Sequence, residues 1–183
     1  MKRSNIVLIV LMLMTAKSYA QSTFTLSSKN LGGTATTVEE FAGFGCKGEN
    51  KSPQLSWINA PEGTKSFAIT MYDPDAPTGS GWWHWLVFDI PASVNELVAG
   101  AGDIALDLAP KGAVQSITDY GSKGYGGPCP PQGHGWHQYI ITVHALKTDK
   151  LGVDENTNAA IVGFNIWANT IAKASIVTYY QRK

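Results

Sequence analysis

The sequence predicts a mainly β protein, built from antiparallel strands with one late helix packed on them. Three observations carry the prediction. Phe67, Ile69 and Met71 alternate with Ala68, Thr70 and Tyr72, the period-two pattern of a strand. Tyr139, Ile141, Val143 and Ala145 repeat that pattern in a second run ending at Leu146. Ala160, Phe164, Trp167 and Ile171 recur instead at helical spacing, which places a helix over roughly 158–173.

Taken in order, the chain opens with a segment expected to lie outside the fold. Lys2 and Arg3 precede an apolar run from Ile6 to Met14, and Ser18-Tyr19-Ala20 forms a small-x-small cleavage pattern. That is the signature of a secretory signal peptide over residues 1–20, with 21–183 as one domain. The apolar run is short for a membrane span. The residue directly after Ala20 is Gln21 and not Cys, which argues against a bacterial lipid anchor. The expected location is the periplasm or the extracellular medium.

The strand at 67–72 runs into Asp73-Pro74-Asp75-Ala76-Pro77. Proline fixes φ and disfavours helix in the residue before it, so this is a stiff turn. Trp85 to Ile90 is almost wholly apolar, as in a strand buried on both faces, and Pro91 ends it. Gly121 to Gly135 is a long irregular segment whose Gly126-Gly127-Pro128-Cys129-Pro130-Pro131 core excludes helix and central strand. The Tyr139 strand follows, and His137 shares its parity. Asn158 or Thr157 caps the helix, whose aromatic stripe reads as core packing. Ser175 to Tyr180 forms a short final strand.

The whole chain has a formal net charge of 0, and Lys2, Arg3 and Lys17 are the only charges in residues 1–20, so the remainder carries −3. A mildly acidic protein lacks the basic face that nucleic acid requires. No second apolar span, repeat or low-complexity tract is present. Cys46 and Cys129 are the two cysteines, and an even count in an oxidising compartment reads as one disulfide. A zinc site using Cys129 with His134 and His137 is the weaker reading, because no CxxC pair exists.

The polar candidates are Asp73, Asp75, His84 and His137, joined by Tyr139 and the Pro128-Cys129-Pro130 loop, with Trp82, Trp83 and Trp85 around His84. Taken singly, each has a bland reading as turn former, structural histidine or core aromatic. Together they describe a small polar site in an apolar pocket. Carboxylates beside imidazoles favour the charged, oriented ring, which attracts a small anion such as phosphate. The acids are expected to bond inward, to His84 or to loop N–H groups, rather than to face the anion. A hydrolase reading is weak: no GxSxG is present, and Ser52 and Ser80 sit in no nucleophile signature. No metal or cofactor is expected.

Asp73–Pro77, Trp82-Trp83-His84, and Tyr125–Pro131 followed by His137 and Tyr139 resemble the phosphatidylethanolamine-binding protein family, specifically its bacterial Raf-kinase-inhibitor-like branch. Gly43–Cys46 and Asn50–Pro53 extend the likeness across the chain beyond residue 20. The resemblance implies an antiparallel β-sandwich-like fold. It also implies an anion pocket lined by Asp73, Asp75, His84, Pro128, Cys129, Pro130, His137 and Tyr139. Ligands would be a phosphate-type anion or a phospholipid headgroup, and members commonly act by binding or inhibiting other proteins. A protease or a host signalling protein is the alternative target, met through the pocket rim. Two departures stand out: Trp83-His84 replaces the two consecutive histidines of eukaryotic members, and Cys129 replaces a loop glycine. His134 has no family role.

Overall fold

The computed structural model describes residues 22–183. The signal-peptide expectation for residues 1–20 lies outside the described residues. Among the described residues the fold is mainly β, with two antiparallel sheets and one C-terminal helix. The smaller sheet holds β1 (Thr25–Ser27), β2 (Leu55–Ile58) and β5 (Glu96–Leu97) in the order β1-β2-β5. The larger holds β3 (Ser66–Asp73), β4 (Trp82–Pro91), β6 (Val114–Gln115), β7 (His137–Leu146) and β8 (Thr170–Tyr180), in the order β6-β4-β3-β7-β8. Helix α1 spans Ala159–Asn169.

Side-chain alternation places two cores on the two faces of the larger sheet. Phe67, Ile69, Met71, Trp85, Val87, Ile141 and Val143 face the smaller sheet and meet Leu26, Leu55, Trp57 and Leu97. Ala68, Leu86, Phe88 and Leu146 face the other way and meet Ala159, Val162 and Ile166 of α1. β3 and β4 are therefore buried on both sides, which is why Trp85 to Ile90 carries almost no polar residue. β4 begins at Trp82, earlier than its apolar run, and β7 begins at His137, so His137 and Tyr139 point the same way.

The C-terminal expectation needs correction. The helix stops at Asn169 instead of reaching Lys173, and the final strand has 11 residues instead of six or so. Thr170 is extended, and its hydroxyl donates to Ile166 O at 2.7 Å, which closes the last turn. Beyond it, Thr170 to Tyr180 pairs with nearly the whole length of β7. Ladder pairing outweighs the helical periodicity that ends at Ile171. The aromatic stripe is also on the outer face: Phe164 is 65% and Trp167 74% exposed, whereas Ala159, Val162 and Ile166 are buried. Apolar residues stand on both faces of this helix, so spacing alone selected the wrong one. Asn158 is the cap, its Oδ1 accepting from Ile161 N at 3.0 Å.

Candidate functional site

Asp73 ends β3 and is 3% exposed. Its Oδ1 accepts the Asp75 N–H at 2.8 Å, which folds the Asp-Pro-Asp turn back on itself. Its Oδ2 accepts from His137 Nδ1 at 2.7 Å. The inward bonding expected of the acids is present, but Asp73 orients His137, not His84. Asp75 is exposed, and its Oδ2 accepts Gln138 N–H at 2.8 Å. It pins the start of β7 and does not line the cavity.

His84 sits on β4, two residues past its start, and is buried. Its Nδ1 lies 2.8 Å from Gly126 O and 3.1 Å from Gly127 O. Two carbonyl acceptors require a proton on Nδ1, which leaves Nε2 as a lone pair in the neutral ring. Burial lowers the His84 pKa to about 4, against the pull of these carbonyls and of Asp73. The ring is thus neutral at neutral pH, which corrects the expectation of a standing imidazolium. Desolvation outweighs the carboxylate.

The loop carrying those carbonyls is held by the segment around residues 36–50. Phe41 N donates to Pro128 O at 3.0 Å, and Gly127 N donates to Asn50 Oδ1 at 2.8 Å. Asn50 Nδ2 donates to Tyr125 O, and Tyr125 OH to Glu39 O. A Cβ at Gly127 would collide with the Glu39 carbonyl, so only glycine allows this close approach. Cys46 and Cys129 form a disulfide across the same seam, with Cα atoms 6.0 Å apart. Arg182 adds a third tie, donating to Gly45 O at 3.1 Å and Pro130 O at 3.3 Å.

These elements enclose a cavity of about 210 Å³. Asp73, His84, Cys129, Pro130, His137 and Tyr139 line it; Asp75 and Pro128 do not. Pro128 is buried behind the wall, with its carbonyl turned to Phe41. Ser52 and Ser80 are also absent from the lining, and Cys129 is bridged, so none of the nucleophiles considered for a hydrolase faces the cavity. Trp82 lines the cavity, Trp83 packs against Tyr72 on the other side, and Trp85 lies in the core. No lysine or arginine lines the cavity among the described residues.

One residue of the site, Tyr120, escaped the sequence reading, and another, His134, was named there only as a possible zinc ligand. Tyr120 stacks on Phe41 with centroids 4.0 Å apart, meets His84 edge-on, and donates its hydroxyl to Gly127 O at 2.9 Å. It lies far from both strands that hold the histidines, with no motif around it. His134 places its Nδ1 2.7 Å from His137 Nε2. Asp73, His137 and His134 thus form a chain of hydrogen bonds from a buried carboxylate to an exposed imidazole. The i, i+3 spacing of the two histidines was the only signal, and it reads equally as a surface turn.

Polar atoms without partners mark where something else belongs. The Tyr139 hydroxyl and Trp82 Nε1 are both buried, both belong to cavity-lining residues, and have no hydrogen-bond partner among the described residues. Burial and the nearby Asp73 charge push the Tyr139 hydroxyl far up, so it stays a proton donor. Burial does the same for Tyr120.

A family model described as phosphatidylethanolamine-binding protein matches residues 29–181. The chain belongs to the phosphatidylethanolamine-binding protein family. The UPF0098 protein YbcL of Escherichia coli K12 is 54% identical over 148 residues, 81% of each chain. YbhB of the same organism is 49% identical over 140 residues, 76% of this chain and 87% of its own length. The crystal structure of E. coli YbcL, described as a member of the mammalian family, superposes with a TM-score of 0.85 at 51% identity, covering 87% of this chain and 99% of YbcL. A family homologue from Chlamydia trachomatis, CT736, gives a TM-score of 0.71 at 26% identity, covering 87% and 98%. Among the described residues, no helix is long and apolar enough to cross a membrane.

Proposed function

We propose that this family member is an exported, non-catalytic binding protein whose cavity holds a small oxyanion of the phosphate class, free or as part of a phospholipid headgroup. Residues 21–183 act as one domain after loss of 1–20, in the periplasm or outside the cell. The Cys46–Cys129 bridge supports an oxidising compartment. The observation that carries the reading is the pair of buried donors left without partners, the Tyr139 hydroxyl and Trp82 Nε1, beside two histidines whose inner nitrogens are already tied down. Fixing Nδ1 aims each ring and leaves its other nitrogen as the one that can respond to a ligand.

Adding inorganic phosphate to the purified protein is expected to shift the ring signals of His84 and His137 in NMR spectra. An arriving negative charge favours the imidazolium form, so binding tightens as pH falls from 7 towards 5. Histidine signals that stay fixed up to tens of millimolar phosphate would overturn the reading.

A second reading adds a protein partner at the cavity mouth. Phe44 favours it, lining the cavity while 71% exposed beside Phe41 and Tyr120. Aromatic anchors of this kind dominate binding energies at interfaces. Phe44→Ala is expected to lose a partner captured from periplasmic extract while keeping phosphate binding. Equal capture by both proteins would argue against the rim as the contact.

A further inference from the structure

We propose that the outer face of α1, with the adjoining face of β8, docks on an anionic phospholipid surface. This face is separate from the cavity, and its role does not depend on what the cavity holds.

A helix packed on a sheet normally turns a polar face to water, and one that is apolar all round is covered on every side. Ala159–Asn169 contains no charged residue. Ala159, Val162 and Ile166 fill the face against the larger sheet. On the opposite face Ile161, Phe164 and Trp167 are exposed, and Ile171 follows them at the start of β8. The two asparagines do little to make this face polar. Asn165 Nδ2 donates to Ile161 O and Asn169 Nδ2 to Asn165 O, both at 2.9 Å, so each amide spends a donor on the helix itself. Lys173 shares a groove with Gly163 and Ile166 of α1. Side chains of its parity on β8, Val177 and Tyr179 among them, therefore lie on the helix side of the sheet, and both are exposed. Single exposed apolar residues are ordinary, whereas a run of this extent marks a surface that meets something apolar.

Charge chooses between the surfaces that could cover it. All 14 acids lie before residue 158, and from Asn158 onward the only charges are Lys173, Arg182 and Lys183. Lys147 adds a cation at the C-terminal end of α1, where its N–H donates to Asn169 O at 3.0 Å. Lys147 and Lys173 are exposed, and neither makes an ion pair among the described residues. Asp149, Asp154 and Glu155 precede the helix. Of these, Asp154 is held by Thr157 and the Asn156 N–H, and Glu155 faces Lys123 at 3.5 Å. A second copy meeting this face through a two-fold axis would set Lys147 and Lys173 against cations of their own kind. An anionic lipid surface supplies the missing negative charge, and its interfacial region takes the Trp167 and Phe164 rings. A second exposed apolar patch, Ile104, Leu106 and Leu108, is interleaved with Asp103 and Asp107 and lacks this complementarity.

Flotation of the purified protein with vesicles tests the proposal. One set is phosphatidylcholine alone, and the other is three parts phosphatidylcholine to one part phosphatidylglycerol. Binding to the second set is expected to exceed binding to the first about fivefold or more, and to fall as salt is raised. Trp167→Ser should weaken it about fivefold or more. Lys147→Glu with Lys173→Glu should abolish the preference for phosphatidylglycerol. All three positions are exposed, and an unchanged unfolding midpoint confirms that the variants fold. Leu106→Ser is the control and should bind as the parent does. No flotation with either vesicle, equal flotation with both, or an equal loss in Leu106→Ser overturns the proposal. Self-association that Trp167→Ser abolishes, without flotation, would give the face to a second copy instead. Phosphate added at constant ionic strength should leave flotation unchanged. Release by phosphate would overturn docking through α1 and place the lipid in the cavity, which leaves the anion reading standing.

Discussion

Replacing both cysteines, as Cys46→Ser with Cys129→Ser, is expected to cost roughly 4–5 kcal/mol of stability. The bridge spans a sequence separation of 83, so it removes much of the freedom of the unfolded chain. Its folded-state surroundings point the same way. It fastens the segment around residues 36–50 to the loop whose carbonyls hold His84, and that loop has no ladder of its own. Phe41 N to Pro128 O, Gly127 N to Asn50 Oδ1 and the Arg182 contacts would remain, each a modest bond in water's presence. For a chain of this size the loss corresponds to a melting point about 10–15 °C lower. Chemical unfolding with and without reductant measures it. A loss below about 1 kcal/mol would mean that the remaining hydrogen bonds hold the loop unaided.

How far the sequence could be read follows from how local each signal is. β3 and β7 were legible because their alternation is long and the larger sheet buries it. The smaller sheet was not, because β1, β2 and β5 have three, four and two residues, too few to establish a period. The helix was found but turned over, since Ala159, Val162 and Ile166 are as well spaced as the stripe that faces solvent. At the site, Asp73, His84, His137 and Tyr139 could be named because motifs surround them. Asp75 looked equivalent to Asp73, yet one residue of extended turn sends it to the Gln138 N–H instead of the cavity. The charge state of His84 was beyond reach, because it depends on complete burial and not on the acids nearby. The His134–His137 bond needed the loop to return on itself, which no residue spacing announces.

Acidification from pH 7 to pH 5 is expected to remove on the order of 4 kcal/mol of stability, through two histidines that fold in the neutral form. Burial lowers His84 to about 4, and burial with the Lys173 charge lowers His144 to about 4 as well. An unfolded histidine titrates near 6.5. Both folded pKa values lie below the unfolded one, so the unfolded chain binds more protons in this range. The contribution is therefore complete above pH 6.5, declines as pH falls, and is gone below about 4. At pH 5 each histidine accounts for on the order of 2 kcal/mol. The two sites are separable. His144 lies on the helix-covered face of the larger sheet, with Nδ1 at Thr170 Oγ1, 3.1 Å away, and Nε2 towards Thr70. His144→Gln should keep polar partners there and roughly halve the pH dependence. Phosphate at saturating concentration should oppose the His84 half alone, because a bound anion favours its imidazolium. Urea unfolding at pH 7 and pH 5, followed by tryptophan fluorescence, reads all three. Equal midpoints at the two pH values would mean that the histidines reach water in the folded protein.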